Sequence, residues 1–168
     1  MHRMPAPRLQ LPPPFESVVR TYERDLMRFS LHLSSNREDA LELFQETWQR
    51  AYRAWPRIQR TENLKPWLFQ IALNVERNNR RNFARRSKLT ARPELSSSDG
   101  STSESGLRLI RLRRTVNRLP SKQRQAFVMR QVDGMDYSEI GRILGCTAVS
   151  ARANVSQALS KIKKELSL

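Results

Sequence analysis

Between Asp136 and Ala158 the chain gathers polar side chains of the types that read DNA bases. Ser150, Arg152, Asn154 and Gln157 stand near the start of one apolar-periodic segment, just after Thr147, and Arg142 lies on the segment before it. Arginine can take guanine, and asparagine or glutamine adenine, through paired hydrogen bonds in the major groove. Arg142 is placed to meet a phosphate. The surrounding residues spell a helix-turn-helix. Asp136 with Glu139 is a capping pair opening a helix over Tyr137–Leu144, and Gly145 stands where a left-handed residue is wanted. After Cys146-Thr147 a long helix begins, and in such a motif the second helix enters the major groove. The plainer reading is a helical hairpin with a solvated polar face, and Lys161, Lys163 and Lys164 read as general phosphate attraction or solubility.

A second group interleaves aromatic and basic residues. Trp48, Tyr52, Trp55, Trp67 and Phe69 accompany Arg57, Arg60, Lys65, Arg77, Arg80 and Arg81. Single-stranded nucleic acid is held by such stacking platforms beside a cationic track, at roughly 1–3 kcal/mol per stacked base. Trp48, Tyr52 and Trp55 share one helical stripe and read mostly as core, so the polar loop Arg57–Lys65 is the better candidate for base contact. A third group, Glu42, Gln45, Glu46 and Arg50, is a polar helix face that by itself reads as solvated surface. Catalysis has no foothold. His2 and His32 stand alone, and no carboxylate pair has an evident partner. One cysteine and two histidines make no zinc cluster, and five glycines leave no phosphate-cradling loop, so neither metal nor cofactor is expected. Cys146, at the helix-turn-helix corner, reads as a small packed thiol rather than a redox switch.

The elements that position these groups are helical throughout. The 168 residues carry 31 Lys+Arg against 16 Asp+Glu, a formal charge of +15 that favours a polyanionic partner. The Pro-rich residues 1–14 read as a disordered arm without the apolar core of a signal peptide, and no run is long and apolar enough to span a membrane. Residues 15–86 form a first unit. Its first helix has the stripe Val19, Tyr22, Leu26, Phe29 and Leu33. The second is capped by Ser35 with Glu38, buries Phe44, Trp48, Ala51, Tyr52 and Trp55, and ends at Pro56. A third, from near Asn63, carries Leu68, Ile71, Ala72 and Val75. Residues 87–106, serine-rich and poor in apolar groups, read as a flexible linker. Residues 107–168 form a second unit. Its first stripe, Leu109, Leu112, Val116 and Leu119, stops at Pro120; Ser121 then caps a helix to about Gln131, broken at Asp133-Gly134. The last helix presents Val155, Leu159, Ile162 and Leu166 to a core. Residues 1–86 carry 16 basic and 9 acidic side chains, and residues 107–168 carry 13 and 4, so both units are cationic. The reading is all-α: two small domains on a tether, moving independently until a partner fixes their spacing.

In this order the parts resemble a known family. Gln45-Glu46-Thr47-Trp48-Gln49-Arg50-Ala51-Tyr52 and Pro66-Trp67-Leu68-Phe69-Gln70-Ile71-Ala72-Leu73-Asn74 resemble region 2 of bacterial sigma factors. Leu119-Pro120-Ser121-Lys122-Gln123-Arg124-Gln125-Ala126-Phe127 and Gly134-Met135-Asp136-Tyr137-Ser138-Glu139-Ile140-Gly141 resemble region 4. The layout is similar to the extracytoplasmic function group of the sigma-70 family.

The resemblance implies an alternative sigma factor in the bacterial cytoplasm, not an enzyme, with core RNA polymerase, promoter DNA and an anti-sigma factor as partners. It assigns Glu42, Gln45, Glu46 and Arg50 to the β′ clamp helices. It assigns Arg57, Arg60, Asn63, Lys65, Trp67, Asn74, Arg77, Arg80 and Arg81 to the melted −10 element. Arg142, Thr147, Ser150, Arg152, Asn154 and Gln157 go to the −35 element, and the second domain also meets the β flap. The chain departs from the family pattern at several places: Glu42 replaces an Asp, Leu73-Asn74 replaces Arg-Asn, Asn78-Asn79-Arg80-Arg81 lacks the Asp before Arg-Arg, Val149-Ser150-Ala151-Arg152-Ala153-Asn154 replaces Gly-Thr-Val-Lys-Ser-Arg, and Gln157 replaces a later Arg. The rival reading is a polymerase-independent helix-turn-helix regulator whose front half senses or dimerises; a generic cationic RNA-binding protein is a third.

Overall fold

The computed structural model describes residues 12–58, 62–87 and 104–166, the side chains of 83–87 excepted. Most of the arm, most of the linker, and Arg60 lie outside the described residues. Among those described there is no strand. The order is α1 (Phe15–Leu33), α2 (Arg37–Ala54), a 3-10 turn (Trp55–Arg57), α3 (Leu64–Ser87), α4 (Glu104–Arg118), α5 (Ser121–Gln131), α6 (Tyr137–Leu144) and α7 (Ala148–Leu166).

α1 buries Val18, Leu26, Phe29 and Leu33, so its stripe begins one residue before the expected Val19. The cap of α2 is Asn36 rather than Ser35. Its Oδ1 accepts the Asp39 N–H at 2.8 Å while its Nδ2 donates to the Asp39 carboxylate at 2.9 Å, two bonds where a serine hydroxyl offers one acceptor. The buried face of α2 is Ala40, Leu43, Thr47 and Ala51, beside the expected aromatic stripe. α2 lies against both α1 and α3, and its mainly small seam residues allow that close approach. The aromatics collect around Phe15, whose ring lies 5.8 Å from Trp48, 5.3 Å from Tyr52 and 5.5 Å from Trp55. Tyr52 stays 64% exposed at the edge of this cluster.

α3 is the central helix. Leu68, Phe69, Ala72, Leu73, Val75 and Glu76 are all buried, more of its circumference than one stripe covers. α1 and α2 pack on it from one unit and α6 from the other, and α1 also meets α5. One continuous core therefore runs from Leu26, Phe29 and Leu43 through Leu73 to Met129, Met135, Ile140 and Val155. The two units dock against each other.

In the second unit α7 packs on α4, α5 and α6. Val116, Leu119, Ala158 and Ile162 form a smaller core there. Pro120, with φ −53°, precedes α5, and Ser121 is its first helical residue, so the expected serine cap is absent and the start rests on proline's fixed φ. The helix-turn-helix follows the expected rules closely. Asp136 and Glu139 close a capping box, and Gly145 ends α6 at φ 65°. Gly141 is required for a different reason: a Cβ there would lie 2.7 Å from the Cys146 carbonyl oxygen.

Candidate nucleic-acid interface

Thr147 organises the exposed start of α7. Its Oγ1 accepts the Ser150 N–H at 3.1 Å, satisfying a free donor of the first turn, and its hydroxyl donates to Ser150 Oγ at 3.0 Å. Asn154 Nδ2 donates back to the Ser150 carbonyl at 2.9 Å. These three expected readers thus form one chain of hydrogen bonds, with exposed Arg152 beside them and exposed Arg142 on α6. Gln157 is set apart: Gln123 Nε2 of α5 donates to its Oε1 at 2.6 Å, and Lys161 Nζ donates to Gln123 Oε1 at 3.0 Å. Val149 was not among the residues expected to contact the −35 element. It is 79% exposed at the tip of the helix, an apolar side chain suited to a thymine methyl group. An apolar residue in the first turn of a recognition helix, off the core stripe, was the available signal.

On the first unit, Asn74, Arg77 and Arg81 share the exposed face of α3, and Gln70 one turn earlier joins them. Gln70 was not among the expected contacts and stands out only once the solvent face of α3 is known. Arg57 and Asn63 are exposed at the two ends of the connecting loop, and the Asn63 carbonyl accepts the Trp67 N–H at 3.2 Å as the helix begins. Trp67 is half-buried, 6.0 Å from Trp55. Two expected DNA contacts are engaged elsewhere. Lys65 Nζ lies 2.8 Å from Asp25 and 5.6 Å from the centre of the Phe69 ring. Arg80 pairs with Glu76 and reaches Ser121 of α5 at 3.4 Å.

Glu42 and Gln45 are exposed on α2, while half-buried Glu46 and Arg50 pair with each other across one turn. The face therefore offers carboxylates and an amide more than a free cation, unusual on a chain of charge +15.

Between the units lies a buried polar joint. Fully buried Arg124 donates to Glu76 Oε1 at 2.5 Å, and Gln125 Nε2 donates to Glu76 Oε2 at 3.3 Å. Burial pushes the Glu76 carboxyl above its ordinary value, against the opposing pull of Arg80. Arg124 Nε and Nη1 have no protein partner. Beside Lys65 and Arg28 of the first unit, the Asp133 carboxyl is pushed up to about 6, chiefly by burial. Arg28 Nε approaches it only to 3.6 Å, beyond a good hydrogen bond.

Comparison with known proteins agrees with this division. The Sigma-70 region 2 family matches residues 18–86, and the Sigma-70 region 4 family matches residues 109–162. The chain is 31% identical over 140 residues to the ECF RNA polymerase sigma factor EcfG of Rhodopseudomonas palustris, covering 82% of this chain and 76% of that one. It is 30% identical over 146 residues to the ECF RNA polymerase sigma factor SigC of Mycobacterium tuberculosis, covering 85% and 78%. Its fold superposes with a TM-score of 0.79 on the sigma factor RpoE of Bartonella quintana, solved with the anti-sigma factor NepR, at 25% identity over 92% of this chain and 97% of that one. It also superposes on CnrH, solved with the cytosolic domain of CnrY, with a TM-score of 0.68 at 21% identity over 91% and 87%.

This chain belongs to the sigma-70 family, among the ECF RNA polymerase sigma factors. Its activity is that of a transcription-initiation factor rather than an enzyme. No helix among the described residues is long and apolar enough to cross a membrane.

Proposed function

We propose that the chain directs bacterial core RNA polymerase to its promoters by dividing recognition between its two units, in the cytoplasm where polymerase acts. The observation that carries this is the pairing, in one chain, of a capped helix-turn-helix with a second cationic helix face on α3. α7 reads the −35 element as duplex through Arg152, Ser150 and Val149, with Arg142 and Thr147 at the groove edge. Asn154 turns to the bases by releasing the Ser150 carbonyl, and Gln157 by releasing Gln123. The exposed face of α3, with Asn74, Arg77 and Arg81, follows the −10 strand after melting. Arg57, Asn63 and Trp67 flank the loop that receives an unstacked base, and pocket contacts offset the few kcal/mol that flipping costs. Glu42, Gln45 and Glu46, with Arg50 holding Glu46 in place, dock on the β′ clamp helices, and the second unit meets the β flap.

Spacing argues that the docked arrangement is a resting form. Elements 25 base pairs apart are separated by about 85 Å at ~3.4 Å per pair. A compact chain of this length has a radius of gyration of about 15 Å. Both elements are engaged only after the two units separate on the linker, which also frees Arg80 from Ser121 of α5. An anti-sigma factor, of the kind bound by the structural relatives, acts on the equilibrium between the two forms.

The test is transcription by purified core polymerase on a pool of random promoters, with and without the protein. Start sites that appear only with the protein, and align to two spaced elements, are expected. Tight duplex binding with no new start sites would favour a polymerase-independent regulator instead.

A further inference from the structure

The solvent face of α7 is apolar at its centre. Ala151, Val155, Ala158 and Ile162 are its buried residues. At about 100° per residue, Val149 and Ala153 point away from all four, toward the groove that the helix enters. Both are exposed, and Val149 at 79% is the most exposed large hydrophobic residue among those described. They stand one turn apart and are neighbours on the helix surface. In the family pattern the same two positions carry Gly and Ser, so the apolar pair belongs to this chain.

The polar side chains flanking this pair differ in how free they are. On one flank Arg152 is exposed, with no hydrogen-bond or carboxylate partner among the described residues. On the other, Ser150 is bonded to Thr147, Asn154 to the Ser150 carbonyl and Gln157 to Gln123. A base that takes Asn154 or Gln157 replaces a bond already made, and the net gain is only the difference. Val149 and Ala153 give up nothing but water when they meet an apolar group. The major groove offers one such group, the C5 methyl of thymine. Four residues advance about 6 Å along a helix, roughly two base-pair steps at ~3.4 Å each. Two thymines a step or two apart can therefore be covered together. Phosphate attraction, which ignores sequence, contributes less here, because Arg152 is the one cation between Ala148 and Ser160.

We propose that Val149 and Ala153 are specificity-determining residues of α7, which together select thymine methyl groups at two nearby positions of the −35 element, beside a guanine read by Arg152. The proposal rests on the sigma-factor reading and deepens it by naming the base chemistry that the −35 element carries. A polar residue at either position, as in the family pattern, has no such preference.

The test removes one methyl at a time. The element is obtained twice, from start sites made with core polymerase on the random promoters and from duplexes that the full chain alone selects out of a random pool. Both are expected to carry thymines beside a guanine. Replacing each thymine in turn by deoxyuridine deletes its methyl and leaves every hydrogen-bonding atom in place. Fluorescence anisotropy on labelled duplex should show affinity falling about fourfold per methyl, with the salt dependence unchanged. Val149→Ser and Ala153→Ser, both at exposed positions, should each bind thymine and deoxyuridine equally at one of the two positions, while still losing affinity when the guanine is replaced. An element without thymine, deoxyuridine bound as tightly as thymine, or a thymine preference unchanged in both serine variants overturns the proposal. Methyl-dependent duplex binding without any start site would instead overturn the sigma-factor reading and leave the methyl readout standing.

Discussion

Glu76 of α3 and Arg124 of α5 are 48 positions apart in the chain and meet at 2.5 Å in the interior, where they join the two units. The pair is specific more than strong. Burying two charges costs nearly what their attraction returns, and two of the three guanidinium nitrogens of Arg124 have no protein partner. A joint of this kind fixes one docking geometry and still yields to a partner that offers Arg124 or Glu76 better company.

Removing one charge should therefore open the joint. Glu76→Gln leaves Arg124 buried without its counter-charge, weakening docking by about 3 kcal/mol. The radius of gyration from small-angle scattering should rise while helicity is kept. Replacing both partners by apolar residues of similar volume, Glu76→Leu with Arg124→Met, should restore the compact form. A double variant as open as the single one would show that the pair carries more than charge balance.

Asp133 makes the docked form sensitive to pH. Its carboxyl is raised from 3.8 to about 6, so the folded chain holds the proton more tightly than the unfolded chain does. This contribution is complete below the unfolded value and is lost as pH rises through about 6. Asp133→Asn keeps the neutral state at every pH. Its melting temperature relative to wild type should rise between about pH 4 and pH 7, checked by calorimetry across that range.

Gly141→Ala tests the close approach inside the helix-turn-helix. The added methyl would lie 2.7 Å from the Cys146 carbonyl oxygen, and that turn backbone cannot give way freely. A loss of about 2 kcal/mol in urea unfolding is expected, despite alanine's better helix propensity, together with weaker duplex binding. Gly134→Ala, at φ 65° with open space around it, should cost less and leave DNA binding alone.

Polymerase and promoter contacts should separate by mutation. Gln45→Ala with Glu46→Ala should reduce core polymerase binding and leave affinity for a −35 duplex unchanged. Arg152→Ala should do the reverse, weakening duplex affinity about 10- to 100-fold, the worth of one bidentate base contact. Pull-down with core polymerase and anisotropy on labelled duplex read the two effects independently. A single variant that loses both would mean that the two surfaces are not distinct.

Much of the local structure was legible in the residues. Asp136 with Glu139 announced a capping box, and Gly145 a left-handed stop, because caps are made between residues within one helical turn. Other local signals misled by a step. Ser35 stood beside the better cap Asn36, and the aromatic spacing in α2 outshone the smaller residues Ala40, Thr47 and Ala51 that pack in its seam. Lys65, Arg80 and Gln157 have the right chemistry for DNA, yet in the docked form they bond to Asp25, to Glu76 and to Gln123.

The chain's own pattern determined the all-helical content, the two units and the chemistry of each, since periodicity and capping act over a few residues. Only the tertiary structure decided that α3 is buried on two sides, that Glu76 belongs to an interface and that Leu109 stands uncovered. Glu76 sits next to Arg77, Asn78, Asn79 and Arg80, a context that reads as solvated surface, and its partner is 48 residues away. A contact over that distance depends on how whole helices stack, and it leaves no trace in either local sequence.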